Sequence, residues 1–269
     1  MTRLFCLGLV VALAIHLPIP AQDRKAPPKT FTNSIGMKFV WIPPGSFIMG
    51  SPKEEKERQR NETDETQHKV TLTKGFYMGV YTVTQEEWQA AMGNNPSNFK
   101  GEKNLPVETV SWDDCQEFIK KLRGKDNVLY RLPTEAEWEY SCRAATKTPF
   151  HFGETISTDQ ANYNGNFTYG DGKKGVDRKK TTPVGSLPAN AWGLHDMHGN
   201  VWQWCEDFYG DYPQKDVVDP QGPEKGQFHV LRGGSWLHYP LFCRSAFRLK
   251  NIPSRRYNVF GFRLCFSVE

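Results

Sequence analysis

The sequence predicts a single large domain of the α+β class. Three segments carry helix-start signals, and short apolar segments bounded by glycine and proline are typical of strands joined by ordered loops. The chain shows neither an internal repeat nor the long alternation of strands and helices that builds a parallel sheet. Its 269 residues suit one domain that buries its core without disulfide staples.

Composition and charge exclude several classes of protein. The 34 basic and 30 acidic residues give a net charge of +4, which is too small and too scattered for a nucleic-acid binder. The mean hydropathy of −0.62 excludes a polytopic membrane protein. An aromatic content of 13% excludes a mostly disordered chain.

The amino terminus predicts export. Met1 to Arg3 form a short basic start, residues 4–17 are mostly apolar, and the small residue Ala21 suits a cleavage position. This pattern is typical of a secretory signal peptide over residues 1–21, with an uncleaved anchor as the alternative. We expect a polar tether at 22–30, a domain at 31–269, no membrane span after cleavage, and a periplasmic or extracellular location.

Local patterns place the regular elements along the chain. Residues 39–42, 47–50, 70–72 and 75–83 read as strands, and the charged stretch 53–69 reads as a solvated loop. Later strands are expected at 201–204, 228–231 and 260–266. Three helices are predicted from a hydroxyl residue followed three positions later by a carboxylate, which together satisfy unpaired amides: Thr84 with Glu87, Ser111 with Asp114, and Thr134 with Glu137.

Four motifs in series carry a family resemblance. They read RLPTEAEWEY at 131–140, GLHDMHGNVWQW at 193–204, RGGSW at 232–236 and GFR at 261–263. In this order they closely resemble the formylglycine-generating enzyme family, also called sulfatase-modifying factors, and the resemblance extends over residues 33–268. It implies a single domain with a C-type-lectin-like core, little regular secondary structure, and structural calcium.

The implied reaction is the oxidation of a sulfatase cysteine to formylglycine with oxygen and Cu(I). The family holds copper with two cysteines five positions apart, just after Gly-Gly-Ser, because soft thiolates select Cu(I). Counting forward from Ser235, which matches a serine near the family's active centre, places His238 and Cys243 at these positions. Counting backward from residue 251 leaves neither copper cysteine, and this second alignment is favoured. Copper is therefore not expected.

The favoured alignment implies a structural role for Cys243. It would pair with Cys142, which matches the family position of the partner. Cys115 and Cys265 lie near the family's other disulfide positions and form a second, weaker candidate pair. Five cysteines remain after signal cleavage, so at least one of them stays unpaired within the chain.

The resemblance also implies two sets of calcium ligands. In the first, Asp196 and Gln203 match side-chain ligands, while Gly199 and Val201 match positions that supply backbone carbonyls. Gln203 loses one charge where a glutamate is usual, and Asp196 supplies one where the family often has asparagine, so this set is expected to keep a similar net charge. The second set comprises Asn162, the Tyr163 carbonyl and Asp177, the last being one position out of register.

Two functions follow from these motifs. The first is a non-catalytic or rewired binding or accessory module whose ligand is a peptide, a protein or a carbohydrate. The alternative is a formylglycine-generating oxidoreductase acting on a sulfatase. The missing copper cysteine favours the binding module.

Overall fold

The computed structural model describes residues 27–58 and 65–268. Its regular elements are short, and long ordered loops join them, as the α+β class predicts. The elements in chain order are β1 (Thr30–Thr32), β2 (Lys38–Ile42), β3 (Gly45–Met49), β4 (His68–Leu72), β5 (Phe76–Gly79), α1 (Gln85–Met92), α2 (Trp112–Arg123), α3 (Glu135–Arg143), β6 (Trp202–Phe208), β7 (Val217–Val218), β8 (His229–Arg232), β9 (Arg248–Asn251), β10 (Phe260–Phe262) and β11 (Cys265–Phe266).

The strands form three small sheets. The first has the order β1-β2-β5-β11 and is antiparallel throughout. The second has the order β10-β6-β8-β9, with β10 parallel to β6. The third has the order β3-β4-β7. Strands distant in sequence pair in every sheet, so the two chain ends and the middle of the chain share one fold.

All three predicted helices are present, and each begins with the predicted capping box. In α2 the buried residues recur at helical spacing and form one apolar face that packs into the largest core cluster: Cys115, Phe118, Ile119 and Leu122. Helix α3 differs because all nine of its residues are buried, three glutamates and an arginine included. This helix therefore runs through the interior rather than along the surface.

Three sequence expectations need correction. Residues 260–266 do not form one strand, because Arg263 and Leu264 separate β10 in the second sheet from β11 in the first. The strand expected over 75–83 ends at Gly79. In the described part of 53–69, Glu55 and Glu65 are not solvated, since buried Arg244 pairs with both carboxylates.

The predicted signal peptide and most of the predicted tether lie outside the described residues. In the part of the chain that is described, no helix is both long and apolar enough to cross a bilayer.

Candidate functional site at the Gly-Gly-Ser loop

The sequence-predicted site residues converge where three loop segments meet. Asn162 forms an isolated β-bridge with Gly199. The Gly199 amide donates to the Gly233 carbonyl at 2.6 Å, and the Trp236 amide donates to the Asn200 carbonyl at 3.0 Å. The residues expected to bind calcium and those expected near copper thus share one framework.

His238 is held in one tautomer by two donors on the same nitrogen. The indole N–H of Trp202 donates to Nδ1 at 3.3 Å, and Ser235 Oγ lies 2.7 Å from the same atom. Because an indole N–H can only donate, Nδ1 is an acceptor, the Ser235 hydroxyl donates to it, and the imidazole proton lies on Nε2. Burial lowers the pKa of His238 to about 4, so the ring is neutral at neutral pH.

Apolar side chains surround this histidine at the surface. Phe167, Leu237 and Tyr239 are 40%, 48% and 41% exposed, respectively. The rings of Phe167 and Tyr239 lie 3.7 Å apart, and the Asn164 amide donates to the His238 carbonyl. We call Phe167, Leu237, His238 and Tyr239 the His238 surface. No described residue accepts a hydrogen bond from His238 Nε2, so this surface offers one N–H donor among apolar groups.

Cys243 lies beneath the loop and is inaccessible. It is fully buried, in a cluster with Phe150, Tyr163 and Tyr169. A Cβ added to Gly234 would lie 2.5 Å from Cys243 Sγ, which shows how closely the thiol packs against the Gly-Gly-Ser turn. Burial raises the pKa of the Cys243 thiol, so the thiolate that binds metals is disfavoured.

These residues do not fit copper. Both donors to His238 Nδ1 occupy that nitrogen, and binding a metal through Nε2 would move the proton onto Nδ1 against the Trp202 N–H. Cys243 is a buried neutral thiol. Ser235 is fully buried and serves the turn, since its Oγ bonds His238 and accepts from the Leu237 amide at 3.4 Å.

The structure contains neither expected disulfide, because the five described cysteines all have free, buried thiols. Cys142 Sγ lies 3.6 Å from Ser245 Oγ, and burial raises the pKa of its thiol to about 12. Cys265 Sγ accepts from Arg131 Nη1 at 2.9 Å, while Cys115 packs on the apolar face of α2. Pairing of Cys142 with Cys243, or of Cys115 with Cys265, stays a prediction about the oxidised protein.

The two histidines of the 193–204 motif are packed and hydrogen-bonded. His198 Nδ1 donates to the Cys243 carbonyl at 2.6 Å, and Nε2 accepts from the His151 amide at 3.1 Å. His195 Nδ1 bonds the Leu187 carbonyl at 2.8 Å. Within the described residues, no group of three or more His, Cys, Asp or Glu side chains could hold a metal ion.

In the first calcium set, the side-chain oxygen of Gln203 has no lone pair left for a metal ion. Its Oε1 accepts from Trp138 Nε1 at 2.9 Å and from Arg263 Nε at 2.7 Å, which uses both lone pairs of an amide oxygen. Asp196 Oδ2 accepts from the Gly185 amide at 2.9 Å. Burial raises the pKa of Asp196, and the Gly185 amide and the buried Arg263 guanidinium offset this only in part. Gln203 therefore suits the loop scaffold and does not fit a calcium ligand.

The second calcium set contains an unpartnered oxygen. Asn162 is 1% exposed, its Nδ2 donates to the Lys180 carbonyl at 2.9 Å, and its Oδ1 is buried without a partner among the described residues. An orphaned oxygen of this kind fits a cation. Asp177 Oδ2 already accepts from Asn166 Nδ2 at 3.0 Å, and Tyr163 is buried beside Asn162.

Sequence reasoning missed a buried ion-pair network that joins two of the motifs. Arg232 of the 232–236 motif donates to Glu135 at 3.2 Å and to Glu139 at 2.5 Å, both from α3. Arg248 holds Glu135 at 2.6 Å, and Arg143 holds Glu139 at 2.8 Å. The spacing of Glu135 and Glu139, four residues apart on one helix face, was the available signal.

Comparison with known proteins decides the family. The profile described as "Sulfatase-modifying factor enzyme 1-like domain" matches residues 24–268. The chain belongs to the sulfatase-modifying factor family. The formylglycine-generating enzyme of Streptomyces coelicolor is 36% identical over 181 residues, which cover 62% of this chain and 54% of that enzyme.

Other relatives of this sulfatase-modifying factor domain bear different names. The serine/threonine-protein kinase pkn1 of Chlamydia caviae is 32% identical over 262 residues, which cover 86% of this chain but only 38% of the kinase. The chaperone protein LppX of Paenibacillus barcinonensis is 30% identical over 213 residues, covering 62% of this chain and 71% of that protein.

A solved structure confirms the fold of the family. Treponema denticola variable protein 1 superposes with a TM-score of 0.77 at 28% identity, covering 89% of this chain and 99% of that protein. The sulfatase-modifying factor domain described here thus has the C-type-lectin-like α+β fold that its motifs imply.

Proposed function

We propose that this sulfatase-modifying factor domain is a binding module whose ligand is a polypeptide held at the His238 surface. The observation that carries the proposal is the exposure of Phe167, Leu237 and Tyr239 around one neutral N–H donor. Aromatic and aliphatic groups contribute apolar contact area to such an interface. A peptide carbonyl is a matching acceptor for His238 Nε2–H.

The lack of an accessible copper-binding pair in this loop supports a binding function rather than the family's oxidation reaction. The family reaction needs an accessible thiolate pair, whereas the loop offers a buried thiol and an imidazole occupied on Nδ1. The formylglycine-generating oxidoreductase, with a sulfatase as its substrate, remains the alternative because a relative of that name is 36% identical over 62% of this chain.

Relatives' names support a polypeptide ligand and a modular role. One relative is named a chaperone, an activity that requires contact with other polypeptides. In the kinase relatives the matched region is 38% of a longer protein, so the same domain accompanies other functions there.

Peptide phage display tests this proposal. A library of random peptides is panned against the purified protein, and enriched peptides are then measured by fluorescence anisotropy. We expect Tyr239→Ala and His238→Ala to weaken binding at least tenfold. Tyr257→Ala is the matched control, because Tyr257 is an exposed tyrosine outside the His238 surface. No enrichment, or equal binding to Tyr239→Ala, would refute the proposal, as would binding of glycans instead of peptides.

We further propose that calcium binds at Asn162 and the Tyr163 carbonyl, with Asp177 nearby, rather than at the set that contains Gln203. The unpartnered Asn162 Oδ1 supports this choice. We expect calcium to raise the melting temperature of the wild type and not that of Asn162→Ala. An equal rise in both proteins would show that the ion binds elsewhere.

We also propose export to the periplasm or the extracellular space, which rests on the signal-peptide pattern of residues 1–21. Expression with a carboxyl-terminal tag, followed by amino-terminal sequencing, is expected to give a chain that starts at Gln22. Recovery of an intact amino terminus from the cytoplasm would contradict export.

A further inference from the structure

The third sheet ends in an open edge at β3. Strand β3 pairs with β4 over the register Gly45↔Leu72 to Met49↔His68, and the sheet order places it at the edge. Alternate peptide groups of an antiparallel strand point away from its partner. Among the described residues, none bonds a backbone group of 45–49 apart from those of β4. The outer edge of β3 therefore presents unpaired donors and acceptors.

This edge borders a groove of about 530 Å³ with an aromatic wall. Phe47, from the inner face of β3, and Ile48, from the outer face, both line the groove, as do Gln67 and His68 where β4 begins. The groove therefore passes the edge of β3 at one end of the β3–β4 pair. The rings of Phe47 and Tyr140 lie 5.3 Å apart, and those of Tyr140 and Trp192 lie 4.8 Å apart. Three contiguous rings thus line the groove, and the Tyr140 hydroxyl packs against Gly45 of β3.

Just beyond β3, side chains of α3 satisfy the backbone as a neighbouring strand would. The Gly50 amide donates to Glu139 Oε1 at 2.9 Å, and Arg143 Nη2 donates to the Gly50 carbonyl at 2.8 Å. These bonds close the edge at Gly50. They leave it open along residues 46–48, where alternate peptide groups point away from β4, so a short extended segment fits there.

The charged residues that line the groove indicate the charge of the peptide that it would bind. No carboxylate is among the described residues that line it, whereas Arg143 and Lys147 are. Glu139 neutralises Arg143 at 2.8 Å. Exposed Lys147 forms no ion pair with any described residue, so its ammonium group is free to pair with a carboxylate of the occupant.

We propose that the outer edge of β3 binds an acidic peptide in extended conformation as an added strand. Backbone hydrogen bonds to β3 give affinity, an apolar side chain packs on Tyr140 and Trp192, and a carboxylate pairs with Lys147. None of the residues that line the groove belongs to the His238 surface, so this is a second site, independent of the first.

The test uses fluorescein-labelled octapeptides and the full chain, read by fluorescence anisotropy. The probe alternates valine and glutamate, and two control peptides replace glutamate by lysine or carry N-methyl groups at alternate residues. We expect saturable binding of the probe alone. Lys147→Glu, at an exposed position, is expected to weaken it at least tenfold. Lys173→Glu makes the same charge change at an exposed site outside the groove and is expected to have less than a twofold effect.

Three outcomes would overturn the proposal. One is absence of saturable binding of the valine-glutamate peptide to the wild type. Another is equal binding of the N-methylated peptide, since that peptide cannot pair with β3 through its blocked amides. The third is equal weakening by Lys147→Glu and Lys173→Glu. Binding that survives His238→Ala is expected and separates this site from the His238 surface.

Discussion

Replacing Glu139 by glutamine removes one charge from the buried network that joins α3 to the Gly-Gly-Ser loop. The Glu139 side chain is fully buried and accepts from the Gly50 amide, from Arg143 and from Arg232. Glutamine keeps the size of the side chain but leaves Arg232 with Glu135 as its one paired carboxylate and Arg143 with no carboxylate ion pair among the described residues. Removing one charged partner of a buried ion pair lowers the unfolding free energy by about 3–5 kcal/mol.

Urea unfolding followed by tryptophan fluorescence measures this loss. We expect the midpoint to fall with an unchanged slope, and the melting temperature to fall by roughly 6–20 °C, since about 1 kcal/mol corresponds to ~2–4 °C in a chain of this size. Glu86→Gln is the matched control, because Glu86 pairs with Lys103 at 3.2 Å and is 61% exposed. It is expected to cost less than about 1 kcal/mol. Equal losses in the two variants would refute the structural role of the network.

Three further predictions concern the packing around the site. Gly234→Ala is expected to destabilise more than Gly36→Ala, because both glycines have positive φ but only Gly234 would press a Cβ against Cys243 Sγ; equal losses in urea unfolding would contradict this. Burial raises the pKa of Asp207 to about 8, so the folded state binds the proton between pH 4 and 8 and stability falls as pH rises through that window. In the wild type, the unfolding free energy is expected to fall by up to about 1.4 kcal/mol per pH unit in this window, and Asp207→Asn is expected to remove that fall. If the unfolding free energies of the two proteins changed with pH in parallel, the raised pKa of Asp207 would be refuted. The five described thiols are expected to resist an aqueous thiol reagent until urea unfolds the chain, and rapid labelling of the native protein would contradict their burial.

Local signals in the sequence predicted the local structure correctly. Each capping box depends on residues three positions apart, and all three form as expected, including the shorter Asp114. The apolar spacing of α2 likewise fixes the face that enters the core. The family motifs, which lie between residues 131 and 263, predicted the fold, and the match over residues 24–268 confirms the family.

The buried electrostatics could not be read from the sequence. Glu65 and Arg244 are 179 positions apart, and the charged composition around Glu65 is typical of a solvated loop until the tertiary fold brings the two together. The tautomer of His238 depends on Trp202, which lies 36 positions away. The division between β10 and β11 depends on which sheet each segment joins, and apolar content alone does not determine that.

The proposal that this domain binds polypeptides without oxidising them is the central claim, and one measurement tests it most directly. The chain starting at Gln22 is incubated with Cu(I), oxygen and a peptide of the form Cys-x-Pro-x-Arg, and the peptide is followed by mass spectrometry. We expect the peptide cysteine to remain unconverted, because His238 is occupied on Nδ1 and Cys243 is a buried neutral thiol. Formylglycine produced by the wild type and abolished by Cys243→Ser would contradict the account and assign a copper site to this loop.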